Sequence, residues 1–252
     1  LSLGYGRLFY VRPTTQPSFH SELTQVKPDG FVRNSVEQGY NGCTDDRGDV
    51  VLLLPGTHTL SAELAVTKGF ITFCGLPGYE KETIVEGSAV VGQEGFVVTG
   101  SNVVFRNLSI RCNGGATKSG LVSAGNTGVY DCIFDGDGSN GIRATGDGLT
   151  VKGCKFRGLE DAIYLSGGTD DVHVEDCYFA ANDNDFTSAG TQFLRLFVKG
   201  CYFDGATTKI VDLDHSGSND GIIANCYLNV AAINTEAQWG DLAPVIALGC
   251  HG

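Results

Sequence analysis

Length, composition and charge already restrict what this chain can be. It has 252 residues, of which 42% are hydrophobic and 18% charged, and its formal net charge at pH 7 is −12. The hydrophobic share is enough for a folded core, and the low charged share excludes a solvated disordered chain and a coiled coil. Because nucleic acid is bound by clustered lysine and arginine, we expect no nucleic-acid partner. Without an apolar run of about 18 residues, we expect no membrane partner either.

The segment 1–48 is predicted to form an N-terminal arm and a cap. Within the stretch 31–40, Val32, Val36 and Tyr40 fall on one face of a short helix. The apolar run 49–54 follows as a strand, and Pro55-Gly56 begins a turn. Such a helix would cover the open end of the first coil of a repetitive fold. An isolated surface helix is the alternative.

A repeat dominates the second half of the chain. The pattern is an apolar residue, any residue, a polar residue or glycine, then usually cysteine, and it recurs with a nearly constant step. A second strand pattern recurs at positions 121, 142, 163, 186, 210 and 233, with nearly the same step. Two strands that share one period predict a solenoid, in which stacked coils bury a core that no single coil could bury. The repeated position is occupied by Leu108, Cys132, Cys154, Cys177, Cys201 and Cys226.

These patterns resemble the right-handed parallel β-helices of the pectin-lyase-like superfamily over roughly the span 45–235. The segment Asp49 to His58 is similar to the strand and Pro-Gly turn that open many of these proteins. The fold class predicted is all-β, a single-stranded right-handed parallel β-helix in which each coil takes roughly 22–25 residues. We expect three segments: the arm and cap at 1–48, the β-helix at 49–235 and a C-terminal closing segment at 236–252.

The five repeated cysteines are predicted to stack as a ladder inside the coil. Cys132, Cys154, Cys177, Cys201 and Cys226 share one repeat position, where a thiol acts as a small hydrophobic side chain. A metal site would need Cys-x-x-Cys pairs or a cysteine at ligand spacing from a histidine, and neither pattern occurs. Disulfides between neighbouring rungs are geometrically possible. We predict no metal and no cofactor.

Paired carboxylates are the candidates for catalysis. Asp212 and Asp214 alternate along one strand, so they project from the same face about 7 Å apart, with His215 beside them. One could act as an acid and the other as a base or nucleophile. Gly168-Thr169-Asp170-Asp171 is similar to the paired-aspartate motif of polygalacturonase-type hydrolases, but the companion motifs are absent. The interpretation therefore favours a protein without catalysis.

Two further rows are predicted beside one strand of each coil. The first row is polar and consists of Asn140, Asp161 and Asn184. The second row is exposed and consists of Arg143, Tyr164 and Thr187. The polar row is interpreted as hydrogen-bonding the backbone of the corners, with ligand binding as the alternative. The exposed strip could bind a sugar or a neighbouring subunit.

Among β-helices of this size and regularity, the chain most resembles the structural proteins of tailed bacteriophage particles. The resemblance implies a non-catalytic virion component, assembled in the host cytoplasm, that decorates the capsid or forms a spike or fibre. It also implies a homotrimer whose partners are capsid or other virion proteins. The alternative is a carbohydrate-active enzyme, or a depolymerase or receptor-binding protein, that acts on surface polysaccharide. A bacterial surface adhesin is a third reading.

Overall fold

The chain folds as an all-β parallel β-helix, which confirms the predicted fold class. A computed structural model describes residues 6–13, 31–87, 92–113, 115, 117–166, 168–189, 194–206, 209–214, 221–229 and 245–249. Within these ranges there are 26 strands, numbered β1 to β26 along the chain, and one helix, α1. Every strand pair is parallel, and each regular coil contributes one strand to each of three sheets. None of the helical structure in the described ranges is long and apolar enough to cross a membrane.

The largest sheet has eleven strands and includes both ends of the described chain. In spatial order it contains β2 (Val32–Arg33), β1 (Leu8–Val11), β3 (Val50–Leu53), β6 (Thr72–Cys74), β9 (Val103–Arg106), β12 (Thr127–Tyr130), β15 (Leu149–Lys152), β18 (Asp170–Glu175), β21 (Leu194–Lys199), β24 (Gly221–Ala224) and β26 (Val245–Leu248).

The other two sheets complete each coil. The eight-stranded sheet contains β4 (Gly56–Thr59), β7 (Thr83–Glu86), β10 (Ser109–Cys112), β13 (Ile133–Gly136), β16 (Lys155–Arg157), β19 (Tyr178–Ala180), β22 (Tyr202–Asp204) and β25 (Tyr227–Asn229). The seven-stranded sheet contains β5 (Leu64–Val66), β8 (Phe96–Val98), β11 (Ser119–Ser123), β14 (Asn140–Ala144), β17 (Asp161–Leu165), β20 (Asn184–Ala189) and β23 (Lys209–Asp214).

The core lies inside the coil, where the parallel register stacks like side chains on one another. Phe134, Phe156, Phe179 and Phe203 are fully buried, and their ring centroids are 4.9–5.0 Å apart in nearly parallel stacks. This distance matches the spacing of neighbouring strands in a sheet. Each coil therefore buries apolar surface mainly against the coils before and after it, which is the origin of the solenoid's stability.

A residue in the left-handed backbone conformation forms the corner between the eleven-stranded and eight-stranded sheets. Asparagine, aspartate and glycine are the residues that accept a positive φ at the lowest cost, which explains the polar or glycine position of the repeat. At Gly153 an added Cβ would lie 2.5 Å from Oδ1 of Asp131 in the preceding coil, so a larger residue there would displace the Asp131 side chain. The six corner residues, with φ between 53° and 66°, are Asn107, Asp131, Gly153, Asp176, Gly200 and Asn225.

Helix α1 (Val36–Gly42) covers the first coil. It begins later than was predicted from the apolar pattern of residues 31–40. Ser35 caps it by accepting a hydrogen bond from the backbone N–H of Gln38, and Val32 lies in strand β2 instead. Tyr40 is buried and packs on Phe73. The Tyr40 hydroxyl oxygen accepts hydrogen bonds from the backbone N–H groups of Thr67 and Lys68, which follow the first strand of the seven-stranded sheet.

The N-terminal arm also contributes a strand, which the sequence patterns did not predict. Phe9 and Val11 in β1 are buried, and β1 pairs with β3 from Leu8 to Val11. The buried Asp49 carboxylate holds this junction together. It accepts hydrogen bonds from the backbone N–H of Arg7 at 2.6 Å and of Thr44 at 2.7 Å.

Candidate functional site

The predicted carboxylate pair lies on the seven-stranded sheet. Asp212 and Asp214 belong to β23, where the backbone register places them opposite Thr187 and Ala189 of β20. Their spacing along one strand puts both on the same face of the sheet. His215 lies outside the described residues. An acid–base role for this pair stays a prediction.

The residues of the predicted exposed strip, Arg143, Tyr164 and Thr187, lie on the outer side of the seven-stranded sheet but are half-buried, and Asn140 of the polar row is buried. Oδ1 of Asp161 accepts hydrogen bonds from Nδ2 of Asn184 at 2.9 Å and from Oγ1 of Thr187 at 2.6 Å. In these contacts the polar row bonds side chain to side chain, whereas the sequence favoured bonds to the corner backbone. Arg143 is held by an ion pair of 2.7 Å with the buried carboxylate of Glu94. Some polar groups of this surface are thus paired within the protein, whereas Oδ1 of Asn140, Oδ1 of Asn184 and Nε of Arg143 have no hydrogen-bond partner among the described residues.

The repeated cysteines lie inside the coil. All five are buried, and no disulfide joins any of the eight cysteines that the structure describes; Cys250 lies outside these residues. Their thiols donate to backbone carbonyls, as from Cys177 to Glu175 at 3.1 Å. Burial raises the pKa of the Cys154 thiol well above its ordinary value, and burial raises the pKa of Cys112 to about 12. Over the described ranges, no three histidine, cysteine, aspartate or glutamate side chains are placed to hold a metal ion.

A groove lies on the outer face of the eight-stranded sheet, within the described residues. The groove has a volume of about 290 Å³, close to the lower bound of roughly 300 Å³ for ligand pockets. Apolar side chains of Ile84 and Ile133 form part of its lining, and Tyr178 forms part of its wall. Its charged lining consists of Lys81, Arg111, Asp135, Lys155 and Arg157.

Ion pairs order part of this charged lining. Nη1 of Arg111 lies 2.9 Å from the Glu86 carboxylate, and Nη2 of Arg157 lies 2.7 Å from that of Asp135. Each pair joins neighbouring coils, because the register places Glu86, Arg111, Asp135 and Arg157 in one column. The arginine side chains remain 43% and 62% exposed, so these pairs position the guanidinium groups while leaving them open to a ligand.

A tyrosine ladder continues from the groove along the same face. The register aligns Lys155, Tyr178, Tyr202 and Tyr227, and the tyrosine rings stack with centroids 5.4 and 4.7 Å apart. Stacking covers the facing sides of the rings and leaves their edges outward, while Tyr178 also borders the groove. The Tyr178 hydroxyl donates to the Asp204 carboxylate at 2.6 Å, and this bond raises the pKa of Tyr178.

This face was not among the sequence-based predictions, although the repeat contains it. Most residues of the groove and of the tyrosine ladder follow the repeated cysteine position at one of two fixed offsets. The first residue after the cysteine gives Lys155, Tyr178, Tyr202 and Tyr227, and the third gives Asp135 and Arg157. Aligning the coils on the cysteines and reading the outward positions as columns would have found it.

Comparison with protein families agrees with this architecture. Residues 78–192 match the family model described as a right handed beta helix region. The fold and this match together define the chain as a right-handed parallel β-helix. No curated protein matches the chain in sequence.

Several solved structures share the fold. A pectin methylesterase in complex with hexasaccharide VII superposes with a TM-score of 0.62 at 9% identity, over 88% of this chain and 79% of that one. The pectin methylesterase PemA from Erwinia chrysanthemi gives a TM-score of 0.60 at 9% identity, over 88% and 79%. The pectin methylesterase from Aspergillus niger gives 0.59 at 12% identity, over 98% and 87%. At these identities the likeness concerns the fold alone.

Proposed function

We propose that this β-helix binds a polysaccharide along the outer face of its eight-stranded sheet and does not cleave it. The observation that carries the proposal is the groove of about 290 Å³ bordered by Tyr178 and by exposed arginine and lysine side chains. An aromatic wall offers apolar contact to the C–H surface of a sugar, and the charged groups offer hydrogen bonds to its substituents. One protein with this fold, a pectin methylesterase, is described in complex with a hexasaccharide.

The carboxylates of this face favour binding over hydrolysis. Glycoside hydrolysis requires two carboxyl groups on either side of the scissile bond, one of them free to deliver a proton. Asp135 is the carboxylate of the groove lining, and it is paired with Arg157. Asp204 accepts hydrogen bonds from Tyr178 and from Asn229. Both carboxylates are thus occupied in positioning their neighbours.

Binding is tested by titrating the protein with a panel of bacterial surface polysaccharides and measuring heat or fluorescence. Tyr178→Ala is expected to weaken binding roughly tenfold, which corresponds to a loss of ~1.4 kcal/mol. Tyr130→Ala is the matched control, because Tyr130 lies on the eleven-stranded sheet. Equal affinity of the two variants, or no affinity of the protein for any glycan, would contradict the proposal.

The absence of cleavage is measured in the same mixtures. We expect no new reducing ends and no unsaturated sugars after prolonged incubation. If either product accumulates, the non-catalytic part of the proposal is wrong. The double variant Asp212→Asn with Asp214→Asn then decides whether the acid pair of β23 is responsible.

A role in a bacteriophage particle is our proposal for where this binding operates. The protein would decorate the capsid or form a spike or fibre, as a homotrimer in contact with other virion proteins. The regular coil supports this reading, since strands β10 to β25 of the eight-stranded sheet begin at positions 109, 133, 155, 178, 202 and 227. Mass spectrometry of purified particles and light scattering of the isolated protein test it. A monomer that is absent from particles would refute it.

A further inference from the structure

Positive charge is concentrated in the groove of an otherwise acidic chain. The formal net charge of the whole chain is −12, whereas four cationic side chains and one carboxylate line the groove. Within the described residues, neither Lys81 nor Lys155 takes part in an ion pair. Uncompensated cations in a concave site raise the local concentration of anionic ligands. The groove therefore favours a ligand that carries negative charge.

The arginines of the groove are two coils apart. Arg111 lies on β10 and Arg157 on β16, with β13 between them. At the usual spacing of neighbouring strands, this separation is about 10 Å along the rod. Asp135 of β13 lies between the two arginines in the same column. Glu86 precedes Arg111 in this column, so the charges alternate along the rod from Glu86 to Arg157. An anionic group placed beside Glu86 or Asp135 would be repelled.

This alternation matches the geometry of an extended glycan. Each sugar of such a chain advances by about one strand spacing, so two sugars advance by about the distance between the arginines. A chain lying along the rod would meet Arg111 and Arg157 with every second sugar and pass Asp135 with the sugar between. Each guanidinium retains outward donors for a carboxylate or sulfate, which it can hold with two parallel hydrogen bonds.

We propose that the groove binds a polyanionic glycan that presents an anionic group to the protein at every second sugar. The inference rests on the proposed function and names the ligand class of that site. The glycan runs parallel to the rod, with one anionic group at Arg111, the next at Arg157 and Tyr178 against the following sugar. Lys155 and Lys81 add long-range attraction, so the affinity falls as salt increases.

A single-stranded nucleic acid is also a polyanion, but this face suits it poorly. Its successive phosphates are one nucleoside apart, which is closer than the two arginines, so a phosphate would fall near Asp135. An oligonucleotide is therefore one arm of the test.

The test uses hyaluronan oligosaccharides, which carry one carboxylate in each disaccharide, with the full chain. The tetrasaccharide is expected to bind at least tenfold more tightly than its carboxyl-reduced derivative, as loss of a charged hydrogen bond predicts. It is also expected to bind more tightly than the disaccharide, which cannot reach both arginines. A single-stranded DNA oligonucleotide of the same charge is expected to bind more weakly.

Variants locate the anionic groups. Arg111→Gln and Arg157→Gln are each expected to weaken tetrasaccharide binding about tenfold, whereas the disaccharide loses affinity in only one of them. Lys155→Gln should reduce the salt dependence of binding. Lys199→Gln is the matched control, because it removes the same charge from the eleven-stranded sheet. Circular dichroism of each variant establishes that the fold is retained.

Two results would overturn this inference and leave the proposed function standing. One is equal binding of the tetrasaccharide and its carboxyl-reduced form, with Tyr178→Ala still weakening both. The other result has two parts. Tyr178→Ala loses binding to a neutral surface polysaccharide, and neither arginine variant changes the affinity for hyaluronan. Tighter binding of the oligonucleotide than of any glycan would overturn both proposals.

Discussion

Asp185 is a buried carboxyl group without a charged partner among the described residues. Its side chain is 0% exposed, Oδ1 accepts a hydrogen bond from Nδ2 of Asn182 at 2.8 Å, and Oδ2 has no partner in the described part of the chain. Burial raises the pKa of Asp185 to about 7, although the bond from Asn182 partly opposes the shift. A group of this kind links the stability of the fold to pH.

The sign of that link follows from where the proton is held. Unfolded aspartate has a pKa of about 3.9, so between about pH 4 and pH 7 the folded state binds more protons. The contribution of Asp185 to the free energy of unfolding is therefore largest below pH 4 and falls until about pH 7. Asp185→Asn removes the charge at nearly constant volume, and it is expected to stabilise the protein at pH 8 by a few kcal/mol.

Urea unfolding at pH 5 and pH 8 measures this effect. The increase in the free energy of unfolding caused by Asp185→Asn should be larger at pH 8 than at pH 5. Asp137→Asn is the control, since Asp137 is exposed and its replacement changes the net charge without touching the core. If the wild type and Asp185→Asn give parallel pH profiles, the buried carboxyl does not titrate as described.

At the scale of the element, helix α1 protects the first coil. A parallel solenoid exposes unpaired backbone groups at its ends, and such edges invite pairing with another chain. Here the Tyr40 hydroxyl oxygen accepts hydrogen bonds from the backbone N–H groups of Thr67 at 2.7 Å and Lys68 at 3.0 Å. The Glu37 carboxylate accepts a hydrogen bond from the backbone N–H of Ser61 at 2.8 Å. The helix thus covers the core and also satisfies backbone N–H groups near the edge.

Tyr40→Phe is expected to lower the free energy of unfolding by about 1–3 kcal/mol, because it leaves partly buried N–H groups without an acceptor. Chemical denaturation measures the loss, and light scattering reports any self-association through the uncovered edge. Tyr79→Phe makes the same chemical change at an exposed residue and should be nearly neutral. A Tyr40→Phe protein as stable as the control would show that the hydroxyl does not hold the cap.

At the scale of the whole molecule, the cysteine ladder reports on the unfolding of the solenoid. A thiol reacts as its thiolate, and burial both raises the pKa of Cys154 and blocks access to it. We expect no alkylation of Cys154 by iodoacetamide in the native protein and full reaction only across the main urea transition. The half-buried Cys74 is the positive control and should react earlier. Equal native rates at the two cysteines would contradict the packing described here.

The fold could be predicted from the sequence because its governing information is periodic. One nearly constant step, one corner residue and one buried position recur in each coil, so the alignment of Cys132 through Cys226 already defined the solenoid. Strand β1 of the N-terminal arm was not predicted, because its apolar alternation is limited to Phe9 and Val11 and lies outside the repeat. Its burial depends on β3, which comes much later in the chain.

The groove escaped prediction because it depends on how coils align with one another. Arg111 and Arg157 are far apart in the chain, and nothing local to either relates them. Their neighbourhood follows from the strand register, which sets each third residue after the ladder position into one column. Acid pairs such as Asp212 and Asp214 are close in sequence and therefore easier to notice.

The regular register has one more consequence, for how the length of this protein can change. Insertion of a single residue in a strand would reverse inward and outward positions beyond it, exposing phenylalanines and burying arginines. Insertion or deletion of one whole coil preserves every contact type and changes the rod by a single strand spacing of about 4.8 Å. Length is therefore a stepwise variable in this fold, and duplication of a coil offers a direct way to lengthen the binding face by one sugar unit.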